Sequence, residues 1–433
     1  MKCMITLLCL LLISGSASPA ERVLTFEEAV ALAMKRNPGI AAARNDAEIA
    51  GNNASIGNAG LLPRLDFRGS ANYTGSDPPS GPETETSITS AQLSASYTLF
   101  NGLGNIYGYR QLRTEEKINR LSAREQIENI IIQVSRAYYG AAEAFENLRV
   151  SRDLLEISRE RLDRVKNRTE FGQGGTVDIL AARVDYNTDT VTVVKARFAW
   201  EEAMRNLNSL LNRDVGEQFE VDPKVELARL RPLGLMREKA LENNSSYRQA
   251  VESVESASLG HKIARSEFMP QLDLSTSYGW DQYSDGLDFN LNDPTAGWGV
   301  QATLSFNIFN GFRRWTDVRN ASIRVRSRQL MEDQSLLELD RELVNAYESY
   351  SNSRTVLQLE KNNLESARVN FERTSDLYDL GRVTSTQFRE AQLNLTRAET
   401  NVISATYTAK LNEIELMKIT GELVTRIDSG PEG

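Results

Sequence analysis

Side chains that carry out chemistry are scarce in this chain. Its 433 residues include one histidine, His261, and two cysteines, Cys3 and Cys9. His261 lies in Gly260-His-Lys-Ile, inside a polar stretch of helical character, and reads as a surface histidine. Carboxylates are plentiful but scattered along helical stretches, with no nucleophile elbow, phosphate-binding loop or zinc spacing among them. Asp285, Asp288, Asn290, Asn292 and Asp293 crowd one segment, but the spacing lacks the closing glutamate of a calcium loop. Neither an enzyme nor a cofactor or metal site is expected. A net charge of −9 also excludes nucleic acid as a partner, because no basic excess is available to displace counterions.

What remains must be done by shape and by membrane chemistry. Residues 1–20 form a secretory signal: Lys2, an apolar run from Met4 to Ile13, then small residues, with cleavage expected after Ala20 or Ala17. That apolar run is too short to span a bilayer. Both cysteines fall inside this leader, and Thr6-Leu7-Leu8 before Cys9 does not end in the small pair of a lipoprotein signal. The processed chain then has no thiol for disulfides or metal ligation.

The elements are long. Prolines are absent from 83–222 and 295–430, and 313–380 also lacks glycine, so this segment reads as one helix. At 1.5 Å per residue it would run on the order of 100 Å, too long for a compact core. Its apolar residues keep a seven-residue rhythm: Leu343, Tyr347, Tyr350, Leu357, Leu364, Phe371 and Tyr378. Ile131, Val134, Tyr138, Ala141, Phe145, Leu148, Leu155 and Leu162 do the same in the first half. Arg152, Arg159, Arg354, Lys361 and Arg368 interrupt these seams, which suggests helices side by side in a wall rather than a dry rod.

The halves repeat. Phe100-Asn-Gly102 recurs 209 residues on as Phe309-Asn-Gly311, and Gly172 and Ala182 recur at the same shift as Gly381 and Ala391. The breaks Phe171-Gly-Gln-Gly-Gly-Thr176 and Leu380-Gly-Arg-Val-Thr384 turn each long helix into a return helix, about 177–211 and 385–420. Gly172 and Gly381 are expected as left-handed C-caps, with Thr176 and Thr384 as N-caps.

Before each long helix the period drops to two. Strands are expected at about 64–74, 91–100, 271–281 and 298–309, apolar on one face and small-polar on the other, as in a transmembrane β-barrel. Tyr73, Tyr97, Trp280 and Trp298 are expected near the loop ends, as an aromatic girdle. A β-sandwich also alternates, but four strands beside such helices would make a poor one. Lipid tolerates no open sheet edge, so four strands per chain must be completed by further copies. The chain divides into 21–212 (first repeat, long hairpin 101–212), a linker 213–234, 235–421 (second repeat, long hairpin 312–421) and a tail 422–433.

This arrangement resembles the TolC family of outer-membrane efflux proteins. The likeness rests on two halves with a Leu-Pro-x-Leu approach to the strands, an Asn-Gly turn, and a hairpin tip reading Gly-x-Val-Thr-x-x-x-Phe-x-x-Ala. Leu24 to Pro38 is also similar to that family's first helix. The resemblance implies a mainly α fold with a membrane β-barrel portion: a homotrimer of twelve strands in outer-membrane lipid above a twelve-helix periplasmic tube. It implies the exit duct of a tripartite efflux or type I secretion system, extending from the outer membrane of a Gram-negative bacterium. A periplasmic membrane-fusion adaptor and an inner-membrane RND or ABC pump would dock at the tips: Gly172, Gly174, Gly175 and Thr176 in one hairpin, Gly381, Val383 and Thr384 in the other. By motif position, gating would fall to Tyr378, Asp178, Glu390 and Arg382, with Gln387 where an acid is often found and Arg382 one place from its expected position. The rival reading, a periplasmic coiled-coil adaptor, would have one hairpin between compact β domains rather than two equal hairpins.

Overall fold

The computed structural model describes residues 23–77, 79–80, 82–171, 175–287, 289 and 294–424. The leader, Gly172, Gly174, Asp288, Asn290, Asn292, Asp293 and most of the tail lie outside them. Two-residue β1 (Val23–Leu24) leads into α1 (Phe26–Arg36) and α2 (Pro38–Asn53). Then come β2 (Arg64–Ser76), β3 (Thr84–Asn101) and the hairpin α3 (Gly104–Glu170) and α4 (Thr176–Leu210). After β4 (Glu220–Val221) the pattern repeats as α5 (Leu233–Asn243), α6 (Ser245–Ser266), β5 (Gln271–Asp285), β6 (Thr295–Ser305), α7 (Arg313–Asp379) and α8 (Ser385–Ile419). α3 and α7 are each 67 residues long, and α4 and α8 each 35.

The helices form a wall one layer thick. On the tip side of the hairpins the neighbours run α4–α3–α8–α7, and on the sheet side α2–α3–α6–α7. α7 and the α2/α4 side are therefore open margins. Mid-wall, α1 and the β1–β4 pair pack on α3, burying Val30, Ala33, Ile131, Val134, Tyr138 and Leu207 in one core. The Tyr138 hydroxyl donates to the Leu24 and Asp222 carbonyls at 2.9 and 3.2 Å, tying this strap down. One asparagine per repeat bends the chain there. Asn37 ends α1, accepts from the Gly39 N–H at 2.8 Å to start α2, and donates to the last carbonyl of α4, Leu210, at 2.8 Å. Asn244 does the same between α5 and α6, accepting from Tyr247 N–H at 2.9 Å and donating to Ile419 O at 3.0 Å.

The strands form one antiparallel sheet, β2–β3–β5–β6, with β2 and β6 as free edges. Register aligns side chains of one kind across all four: Phe67, Leu93, Tyr278 and Trp298 face one way, with Asp66, Ser94 and Ser277 beside them on the other. Among the described residues nothing packs on the apolar layer, and Phe67 and Trp298 are 74% and 80% exposed. Sequence expectation and structure differ in places. β3 starts at Thr84, not near 91, and β6 spans Thr295–Ser305 rather than 298–309. A bulge between Thr98 and Phe100 pairs Phe100, not Leu99, with Leu272 and so interrupts the alternation of Leu93, Ala95, Tyr97 and Leu99 just before the helix. Tyr97 pairs with Leu274 near the helix end of the sheet, so it is not at the loop end. Arg152, Arg159, Arg354, Lys361 and Arg368 are exposed rather than within the seams; on α3, Leu154 and Ser158 turn inward in place of Arg152 and Arg159.

Candidate functional site

The hairpin tips are built from local rules. α7 ends in a Schellman motif: Gly381 adopts φ +70°, its N–H donates to the Tyr378 carbonyl at 3.0 Å, and Arg382 N–H to Leu377 O at 2.8 Å. Nothing would touch a Cβ at Gly381, so the left-handed φ alone demands glycine there. Thr384 then starts α8 through a capping box, accepting from Gln387 N–H at 3.2 Å while its own N–H donates to Gln387 Oε1 at 2.9 Å. In the first hairpin the cap is Gly175, one residue before Thr176, which is the first helical residue. Asp178 accepts from the Gly175 N–H at 3.3 Å, the place that Gln387 takes in the second hairpin.

Tyr378 is buried at the tip. Its ring stacks on Phe388 at 4.7 Å, the Arg168 guanidinium lies 5.1 Å from the ring centre, and Arg168 also donates to the Tyr378 carbonyl at 3.0 Å. Asp178, Arg382 and Glu390 are exposed, Val383 half-buried. Among the described residues no hydrogen bond or ion pair links Asp178, Tyr378, Arg382 and Glu390 to one another, so one chain does not assemble them into a single cluster.

What the chain does assemble, within about four turns of the tip, is a set of charges on α3, α4 and α8. Arg389 grips Asp189 with two bonds of 2.8 Å each, and its Nη1 lies 3.1 Å from both the Ser158 hydroxyl and Gln392 Oε1. Ser158 also donates to Asp189. Arg161 donates to Asp185 at 2.7 Å and to the Ser385 hydroxyl at 2.8 Å. Gln392 completes the set, donating to Leu154 O at 3.2 Å. Ser158, Arg161, Asp189 and Gln392 are at most 3% exposed, so these bonds work in a medium where a lone charge is expensive. The cluster ties the second hairpin's return helix to both helices of the first. Sequence reasoning missed it because its members lie up to 234 residues apart. One signal was available: at the 209-residue shift Asp189 stands where the second half has Ala398, and Arg389 where the first has Leu180.

No group of His, Cys, Asp or Glu among the described residues is arranged to hold a metal, and no described helix is long and apolar enough to cross a membrane. The sheet carries a layer of exposed apolar side chains, Phe67, Leu93, Tyr278 and Trp298 among them. Outer membrane protein TolC of Escherichia coli is 22% identical over 437 residues, spanning 98% of this chain and 87% of its own. The alkaline protease secretion protein AprF of Pseudomonas aeruginosa is 24% identical over 355 residues, 78% of this chain and 72% of AprF. The crystal structure of the Campylobacter jejuni CmeC outer membrane channel shares the fold, with a TM-score of 0.77 over 92% of this chain and 86% of that one at 18% identity. The profile of the family described as outer membrane efflux protein matches residues 29–213 and 236–422, one stretch for each repeat. Matched across both repeats, and with the duplicated hairpins and four-stranded sheet of such channels, the chain belongs to the outer membrane efflux protein family.

Proposed function

We propose that three copies of this chain form an exit duct from the periplasm through the outer membrane of a Gram-negative bacterium, serving tripartite efflux or type I secretion. The observation that carries this is the sheet: four strands with one bare apolar face and two free edges, joined to hairpins that reach on the order of 100 Å away. Pairing β6 of one copy with β2 of the next removes every edge and turns the apolar layer to lipid, leaving the polar face around a wet lumen. The same closure brings the tips together. Asp178 and Glu390, exposed and repeated by symmetry, would ring the narrow end with like charges that disfavour anions. The turns at Gly172, Gly174, Gly175 and Thr176 and at Gly381, Val383 and Thr384 present the surface for a periplasmic membrane-fusion adaptor fed by an RND or ABC pump.

Purification and electrophysiology test this. The processed chain should require detergent, run as a heat-sensitive trimer on gels and conduct ions in planar bilayers. Asp178→Ala with Tyr378→Phe should raise that conductance. A soluble monomer overturns the duct, whereas unchanged conductance in the double variant removes these two residues from the gate.

A further inference from the structure

Positive charge is placed unevenly about the sheet. Residues 69–109 and 266–312, which hold β3, β5, β6 and most of β2, contain no lysine or arginine. Cations crowd the helix ends at the foot of the sheet instead. Arg110 and Arg319, counterparts at the 209-residue offset, are each the seventh residue of their helix, α3 and α7. Lys262 and Arg265 lie in the last five residues of α6. At 1.5 Å per residue all four are within about 10 Å of the helix ends that meet the sheet. All four are exposed and, among the described residues, none forms an ion pair. Their face follows from the groove on the other side of the wall. That groove, between α3, α6 and α7, is lined by Gly108, Gly260, Arg324 and Arg328 and runs into Asn101, Gln271 and Ser305 on the polar side of the sheet. At about 100° per residue, Arg110 lies about 160° round α3 from Gly108, and Lys262 and Arg265 about 140–160° round α6 from Gly260. Arg319 lies about 140–180° round α7 from Arg324 and Arg328. The four cations are therefore on the opposite face, which continues the apolar layer of the sheet. An aromatic band stands at the join: Phe309, Phe312 and Trp315 are 70%, 66% and 67% exposed, and Trp315 meets Phe268 edge to face at 5.5 Å.

We propose that Arg110, Lys262, Arg265 and Arg319 form a binding site for anionic glycerophospholipid in the leaflet that faces the periplasm. The inference rests on the membrane duct proposed above. Exposed aromatics beside an apolar layer mark the edge of the hydrocarbon. A headgroup layer is about 5–8 Å deep, so cations this close below the aromatic band stand level with the lipid phosphates. A guanidinium takes two phosphate oxygens in its fork, and these groups have no carboxylate of their own to satisfy. Carboxylates on the same stretches are engaged elsewhere, Glu116 by Arg113 and Arg120 and Glu252 by Lys117 and Arg248. Glu267 and Asp317 line the groove on the other face. Three copies in a ring repeat the four cations as a collar round the foot of the barrel, on a chain whose net charge is −9. Lipid headgroups held there fix the depth at which the barrel sits.

Lipid retention by the purified trimer tests this. Offered equal amounts of dioleoyl phosphatidylglycerol and dioleoyl phosphatidylcholine, the trimer should retain the anionic lipid by about fivefold or more. Raising NaCl to about 0.5 M should remove most of that preference. Arg265→Gln with Arg319→Gln should bring the ratio close to one. Arg324→Gln with Arg328→Gln removes the same charge from the groove face and should leave the ratio unchanged. Millimolar inorganic phosphate should not displace the lipid, because a free anion has no chains for the aromatic band to hold. Displacement by phosphate makes this a site for soluble anions and overturns the lipid assignment, as does retention of soluble cell-wall fragments in place of lipid. No preference in the unaltered trimer, or an equal loss in both double variants, also overturns the inference. Should the Arg265 and Arg319 variant fail to assemble, the salt series on the unaltered trimer decides, and a preference that survives salt overturns the site. Bilayer conductance of the same preparations keeps the two readings apart. A conducting trimer without lipid preference loses only this inference, whereas a chain that neither trimerises nor conducts ends the duct as well.

Discussion

α3 and α7 have the same length and come from the same repeat, yet 20 residues of α3 are buried and only seven of α7. The difference is one of position. α3 has a neighbour on each flank from its own chain, α4 or α2 on one and α8 or α6 on the other, whereas α7 has one such flank and an open margin. Sequence divergence between the repeats follows this geometry. Buried charge accumulates where both partners belong to one polypeptide and their stoichiometry is guaranteed. Apolar residues face the margin, where the partner must first be found. A duplicated element thus acquires two roles from its place in the wall.

The comparison can be broken most forcefully at the cluster. Asp189→Ala leaves the largely enclosed Arg389 without its main partner, with only Asp185 at 3.8 Å, and should cost about 2–3 kcal/mol, seen as early melting of the helical signal. Asp189→Ala with Arg389→Leu, which installs the counterpart residues of the other repeat, should recover most of that loss, because no charge remains stranded. If the single and double variants melt alike, the ion pairs do not set the α3–α8 contact apart from the margin.

The glycines that end the two helices of the second hairpin sharpen it next. Gly421 after α8 and Gly381 after α7 both take a left-handed φ, +67° and +70°. A Cβ at Gly421 would lie 2.4 Å from the Asn243 carbonyl oxygen, whereas Gly381 has open space. Gly421→Ala should therefore cost about 3 kcal/mol, left-handed strain plus a backbone clash, and Gly381→Ala about 1–2 kcal/mol from strain alone. Equal losses in thermal melts would show that Asn243 yields.

The smallest effect concerns Glu128, whose counterpart at the offset is the exposed Leu337. Burial raises the Glu128 pKa above the ordinary carboxylate value, and Arg124 at 2.9 Å and Ser245 at 3.1 Å only partly compensate. Its raised folded-state pKa means that ionisation opposes folding. The penalty is absent at low pH, where both states are protonated, and grows as pH rises from the unfolded pKa through the folded one. Glu128→Gln should raise the melting temperature slightly at pH 8, by less than about 1 kcal/mol in stability, with the gain vanishing below about pH 4. A variant less stable than the parent at pH 8 would assign the Arg124 bond more weight than burial.

Periodicity carried most of the architecture. The seven-residue seams, the strand alternation and the offset between halves are local or self-referential patterns that need no partner to be seen. Thr384 and Gly381 were legible for the same reason, since caps depend on neighbours a few residues away. Gly175 replaces Thr176 as a cap because Asp178 reaches back to its N–H, a detail set by one loop's path. The bulge beside Leu99 follows from pairing with β5, which lies far along the sequence. Arg161, Asp185, Asp189 and Arg389 gain meaning only when α3, α4 and α8 stand side by side, and no spacing rule joins them. Tyr378 was singled out through resemblance, while its packing on Phe388 and Arg168 needed three dimensions.

The bare layer of Phe67, Leu93, Tyr278 and Trp298 also bears on the chain's life before assembly. A newly exported single copy carries a greasy band with two unprotected strand edges into a watery compartment, where it invites aggregation and proteolysis. It cannot be stockpiled. If three copies must meet, as proposed, the yield of finished pores should fall more steeply than synthesis whenever expression is throttled.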